Sequence, residues 1–134
     1  MVITSEISKN LTDLSPLKYK AIMAFTSFCC KCLRLDKDFC LYFLGKKDFP
    51  QSRTLASYNP ENNDIVVRTE GRAVMDIFFS IAHELVHFKQ MENDELVFPV
   101  QDIGGKAENE ANAVAGMLRK MFVKKYNARV VYSM

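Results

Sequence analysis

The sequence lacks most of the features that would take it out of ordinary globular chemistry. No apolar run approaches the ~18 residues of a membrane span. Met1 to Asn10 mixes Thr4, Ser5, Glu6 and Lys9 with apolar residues, without the basic-then-apolar order of a secretory leader. These absences predict a cytoplasmic protein with no membrane partner. There is no internal repeat, low-complexity tract or Gly/Ser-rich linker, so the 134 residues read as one domain, 1–134. One-sided charge is also missing. A net charge of +2 is too mild to argue for nucleic acid or an anionic membrane, and no nucleic-acid partner is expected. With 49% hydrophobic and 25% charged residues, disorder is excluded for the chain as a whole.

Cysteine is scarce too. Cys29, Cys30, Cys32 and Cys40 include one C-x-x-C pair, but a zinc ribbon needs a second pair and only Cys40 remains. They are expected to be free thiols in the core or on a helix face.

What is present is periodic. Ser15-Pro16 is a helix start, and Leu17, Ala21, Phe25, Phe28, Cys32 and Leu35 predict a helix from Pro16 to Leu35. Phe39–Leu44, Arg53–Tyr58 and Asp64–Arg68 read as strands, the last two forming a hairpin across the Asn59-Pro60-Glu61-Asn62-Asn63 turn. Arg72 to about Met91 is helical, with Val74, Phe78, Ile81, Leu85 and Phe88 as its apolar stripe. Asn93–Gly105 is a connection. Lys106 to about Tyr126 is a last helix, packing through Ala107, Ala111, Val114, Leu118 and Met121. Ala128–Met134 reads as a final short strand. The fold class is α+β, a small antiparallel or mixed sheet covered by helices.

The only two histidines are His83 and His87, and Glu84 lies between them in His83-Glu84-Leu85-Val86-His87. On a helix, positions i and i+4 share a face one turn apart, so both imidazoles can reach one zinc ion. Glu84 stands about 100° round from His83 and borders the metal without having to bind it. With no third histidine, a third protein ligand must be a carboxylate. The downstream candidates are Glu92, Asp94, Glu95, Asp102, Glu108 and Glu110. Glu92 lies on the same helix and cannot wrap round to the open side of the metal. Glu108 shares its helix side with the small residues Ala111, Asn112 and Ala115, whereas Glu110 sits with Ala113, Val114 and Met117. The first set suits close approach of two helices, so Glu108 is favoured and Glu110 is the alternative. Asn112 is placed to hydrogen-bond the outer nitrogen of a ligand histidine and fix its tautomer.

The pair His83-Glu84-Leu85-Val86-His87 and Glu108-Asn109-Glu110-Ala111-Asn112-Ala113-Val114-Ala115 resembles the Glu-zincins, and most of all the ImmA/IrrE type of metallopeptidase. The likeness covers about Arg53 to Met121. It implies a zincin-like fold with an HEXXH active-site helix followed by a glutamate-ligand helix. It also implies one Zn2+ held by His83, His87 and Glu108, with Glu84 as catalytic glutamate. The implied activity is hydrolysis of a specific intracellular protein or peptide, in a family with many phage and mobile-element members. Val114 stands where the family usually has Phe, and Arg119-Lys120 interrupts its usual pattern. A non-catalytic zinc-binding interaction module on the same scaffold is the competing expectation. Tyr58, Tyr126 and Tyr132 are candidates to stabilise an oxyanion, and Arg53–Tyr58 is the candidate strand edge for an extended substrate. Arg119, Lys120, Lys124, Lys125 and Arg129 read as a solvated basic face.

Overall fold

The computed structural model describes residues 1–48, 55–93 and 105–126. In chain order the elements are β1 (Ile3–Ile7), α1 (Pro16–Leu33), β2 (Phe39–Leu44), β3 (Ala56–Asn59), β4 (Asp64–Arg68), α2 (Val74–Glu92) and α3 (Lys106–Lys125), with a 3-10 turn at Lys46–Asp48.

The sheet runs β1-β2-β4-β3. β1, β2 and β4 are parallel, with Ile3 opposite Phe39 and Leu41 opposite Ile65. β3 closes the sheet antiparallel to β4, with Tyr58 opposite Ile65. The sheet is therefore mixed, and the β3–β4 hairpin forms as the turn residues predict. Asn59 and Asn62 each accept from a backbone N–H two residues on, and Asn63 takes the left-handed φ of 58° that asparagine tolerates. Arg53 and Thr54, at the expected start of β3, lie outside the described residues, as does the expected strand Ala128–Met134.

β1 is a correction. Met1–Asn10 gave no strand signal, because Thr4, Ser5 and Glu6 break the apolar alternation that marks a buried strand. β1 forms because β2, thirty-odd residues later, offers it a parallel edge. No local pattern encodes that pairing.

The helices cover the sheet. Ser15 caps α1 by accepting from the Lys18 N–H at 3.1 Å, and Pro16 fills its first turn. α1 stops at Leu33 rather than Leu35, since Arg34 turns left-handed (φ 55°) and the Leu35 N–H returns to the Cys30 carbonyl. The three helices meet in an aromatic cluster. Phe25 of α1 stacks on Phe78 of α2 at 4.2 Å, and Phe122 of α3 sets its edge against both. Beneath them, β2 contributes Phe39, Leu41 and Phe43, and β4 contributes Ile65 and Val67. Cys29 and Cys30 are buried in α1, Cys32 is exposed, Cys40 is half-buried, and all four are free thiols. No helix among the described residues is long and apolar enough to cross a membrane.

α3 differs from its expected packing. Its buried side is Ala111, Ala115, Leu118 and Phe122, whereas Met121 is 44% exposed. The small residues Ala111 and Ala115 let α3 lie close along α2, and that contact rotates Met121 outward. α2 runs antiparallel to α3, as the contacts of His83 with Asn112, Gln90 with Ala107, and Met75 with Arg119 require.

Candidate metal centre

α2 carries His83, His87 and Gln90 at positions i, i+4 and i+7, a single helix face. α3 brings Glu108 to that face from its first turn, on the same side as the buried Ala111 and Ala115. His83, His87 and Glu108 each offer a ligand atom, and these atoms lie within 4.8 Å of one another. The two Nε2 atoms are 3.0 Å apart. Glu108 Oε1 is 2.7 Å from His87 Nε2, and its Oε2 is 3.3 Å from His83 Nε2. The rings stand nearly perpendicular, at 87°.

The outer nitrogens decide the protonation. Gln90 Nε2 donates to the Ala107 carbonyl at 3.0 Å and to Glu110 Oε1 at 2.9 Å. Its oxygen must therefore be the atom that faces His87 Nδ1 at 2.7 Å, so Nδ1 carries the hydrogen. Asn112 Oδ1 lies 2.9 Å from His83 Nδ1, and an amide oxygen there accepts from Nδ1–H. Both Nε2 atoms are then lone-pair nitrogens, aimed at each other and at a carboxylate. Burial, with His87 alongside, holds His83 below its ordinary pKa, which disfavours a proton as the separator. A divalent cation satisfies all three donors. Ligands ~2.0–2.1 Å from a tetrahedral ion stand about 3.3 Å apart, and the contacts among the two Nε2 atoms and the two Glu108 oxygens run from 2.7 to 3.3 Å. The donor set fits zinc.

The remaining sequence candidates fall elsewhere. Glu110 is exposed, and its oxygen accepts from Gln90 instead of joining the cluster. Glu92 lies 3.6 Å from Lys89 on its own helix. Asp94, Glu95 and Asp102 lie outside the described residues. Glu84 is half-buried beside the cluster. Burial raises its carboxyl to about 7, and Glu108 adds to the rise, against His87 and a backbone N–H donated by Tyr58.

Of the tyrosines, Tyr58 packs its ring on Phe88 at 5.1 Å, and its hydroxyl lies 3.1 Å from Asn63 Oδ1. Its backbone, not its hydroxyl, faces the site. Tyr126 is eighteen residues beyond Glu108, about 27 Å along α3 at 1.5 Å per residue, and cannot reach the cluster. Tyr132 lies outside the described residues. The separation of a packing face from a reacting face on α2 also needs correction. His87 is 3% exposed and Gln90 2%, because α3 covers the histidine face as α1 and the sheet cover the apolar stripe.

Gln90 was not singled out from the sequence as a site residue, although its i+3 spacing from His87 is a usable signal. In comparisons with known proteins, no family model, no curated protein and no solved structure matches the chain.

Proposed function

We propose that this chain is a zinc-dependent endopeptidase of the Glu-zincin class, similar to the ImmA/IrrE type, forming one zincin-like domain over residues 1–134. It would act in the cytoplasm on a specific protein or peptide, and the family likeness suggests a phage or mobile-element origin. The observation that carries this reading is the convergence of His83, His87 and Glu108 with Glu84 at its side.

Zinc on His83, His87 and Glu108 would supply a Lewis acid and bring the pKa of a water toward neutrality. Glu84 is the general base. Its carboxylate can take a proton from the attacking water and deliver it to the leaving amine nitrogen. The Tyr58 N–H holds Glu84 in place. Asn112 and Gln90 keep both imidazoles in the ligand tautomer.

The substrate strand has a natural partner in β3, the end strand of the sheet among the described residues. The Arg68 N–H donates to the Leu55 carbonyl, so alternation turns both backbone groups of Ala56 and the Tyr58 carbonyl away from β4, while the Tyr58 N–H is taken by Glu84. An extended peptide adds to that edge by β-augmentation.

The test is a peptide-library digest by the zinc-loaded wild type and by Glu84→Gln, read by mass spectrometry. Both proteins should hold one zinc. Cleavage should fall about 10²- to 10⁴-fold in the variant. Equal cleavage by both would refute Glu84 as base, and zinc binding with no cleavage by either would favour the interaction module.

A further inference from the structure

The α2 face that carries the histidines continues toward the helix N-terminus through Phe79, Ser80 and Asp76. A cavity of about 520 Å³ opens there, lined by Leu55, Arg72, Asp76, Phe79, Ser80 and Arg119. It adjoins the metal cluster, since the Phe79 ring centroid is 6.4 Å from that of His83. Leu55 sets it at the leading end of β3, on the path of a strand paired with that edge.

Its charge is unbalanced. Arg72 and Arg119 come from different elements, the lead into α2 and the far half of α3, and both line this cavity. Arg72 bonds the Arg68 and Asp76 carbonyls at 2.9 and 3.1 Å and Ser80 Oγ at 2.7 Å, all uncharged acceptors. Arg119 donates to the Met75 carbonyl at 3.2 Å and lies over the Phe79 ring at 5.3 Å. Among the described residues neither forms an ion pair with a carboxylate. Arg68 adds a third positive charge near Arg72, and among the described residues Asp76 is the one acid lining the cavity. Three of the five Arg72 donors are taken, both of those on Nη2 among them, and the Asp76 carboxylate favours its charge, so Arg119, with one donor used among the described residues, is the guanidinium with capacity left for a carboxylate.

We infer that this cavity is a specificity subsite that receives the carboxylate side chain of an aspartate or glutamate in the substrate. Ser80 stands three residues before His83 and Asp76 seven, or about 4.5 and 10.5 Å along the helix. At about 3.3 Å per residue of extended chain, the acidic residue sits one to three positions from the scissile bond. The assignment deepens the peptidase reading and rests on it for the word substrate, but the cavity's preference for a carboxylate can be measured without turnover.

The probes are end-blocked fluorescent octapeptides of alanine and serine with one glutamate at each position in turn. Glutamine counterparts and a glutamine peptide with a free C-terminal carboxylate complete the set. Binding is read by anisotropy on the zinc-loaded Glu84→Gln chain. A glutamate peptide should bind about ten-fold tighter than its glutamine twin, as expected for a charge-assisted hydrogen bond. That advantage should shrink with salt and vanish in Arg119→Gln, while Arg119→Glu should turn the preference toward lysine. Equal affinities for glutamate and glutamine peptides in the wild-type cavity would overturn the subsite. So would a glutamate preference that survives Arg119→Gln, or one shown only by the free C-terminus, which would assign the cavity to a chain end. The same peptides given to the wild-type chain separate the two claims. Glutamate-selective binding without hydrolysis contradicts the peptidase and leaves the subsite, whereas hydrolysis without selectivity does the reverse.

Discussion

Replacing Gln90 by leucine should weaken zinc binding without touching any of the three donor atoms. Gln90 is 2% exposed and makes three hydrogen bonds, to His87 Nδ1, the Ala107 carbonyl and Glu110. Leucine fills a similar volume but leaves the His87 N–H buried without an acceptor. The stability cost of that orphan is about 1–3 kcal/mol. The imidazole also loses the contact that fixes its tautomer and ring angle, a loss worth roughly 10- to 100-fold in metal affinity. Asn112→Leu is the internal comparison. Asn112 makes the equivalent bond to His83 but is exposed, so water can replace it and the loss should be several-fold smaller. Zinc affinity is read by competition with a chromophoric chelator, and folding by thermal melts on the same samples. Gln90→Leu with wild-type affinity and intact fold would refute the tautomer argument. An Asn112→Leu loss larger than that of Gln90→Leu would refute the ranking by burial.

Phe78 is fully buried, stacked on Phe25 and edge-on to Phe122, so Phe78→Ala removes the keystone between three helices. It should destabilise by roughly 3–5 kcal/mol in urea unfolding, and a change under 1 kcal/mol would contradict the core assignment. The thiols should separate by position. Burial pushes Cys29 well up and Cys30 up to about 12, so the thiolate fraction of either at pH 8 is very small. Iodoacetamide at pH 8 should label the exposed Cys32 in minutes and reach Cys29 and Cys30 only in denaturant, with peptide mapping as the readout.

Much of this fold was legible in the sequence, for identifiable reasons. α1 announced itself through Ser15-Pro16 and α2 through a sustained 3.6 period, and the β3–β4 hairpin through its asparagine-rich turn. These are local signals, and local structure followed them. β1 escaped because its strand character is conferred by β2 across the sheet. Met121 was misplaced on α3 because helix rotation is set by the close fit of Ala111 and Ala115 against α2, a fact about two helices rather than one. At the candidate metal centre, the histidine spacing and the small residues flanking Glu108 carried the reading, and the structure brings His83, His87 and Glu108 together. Gln90 was harder to see, because a glutamine on a helix gives no sign of being buried until its neighbour arrives. Arg72 and Arg119 lie forty-seven positions apart in the numbering, and only the antiparallel approach of α2 and α3 puts them in one cavity.

The central claim is that His83, His87 and Glu108 hold one zinc ion. Elemental analysis of the purified chain, after zinc reconstitution and removal of excess metal, tests it most directly. The account predicts about one zinc per chain, lost in Glu108→Ala and retained in Glu110→Ala. No bound zinc in the folded wild-type chain, or retention in Glu108→Ala with loss in Glu110→Ala, would contradict it.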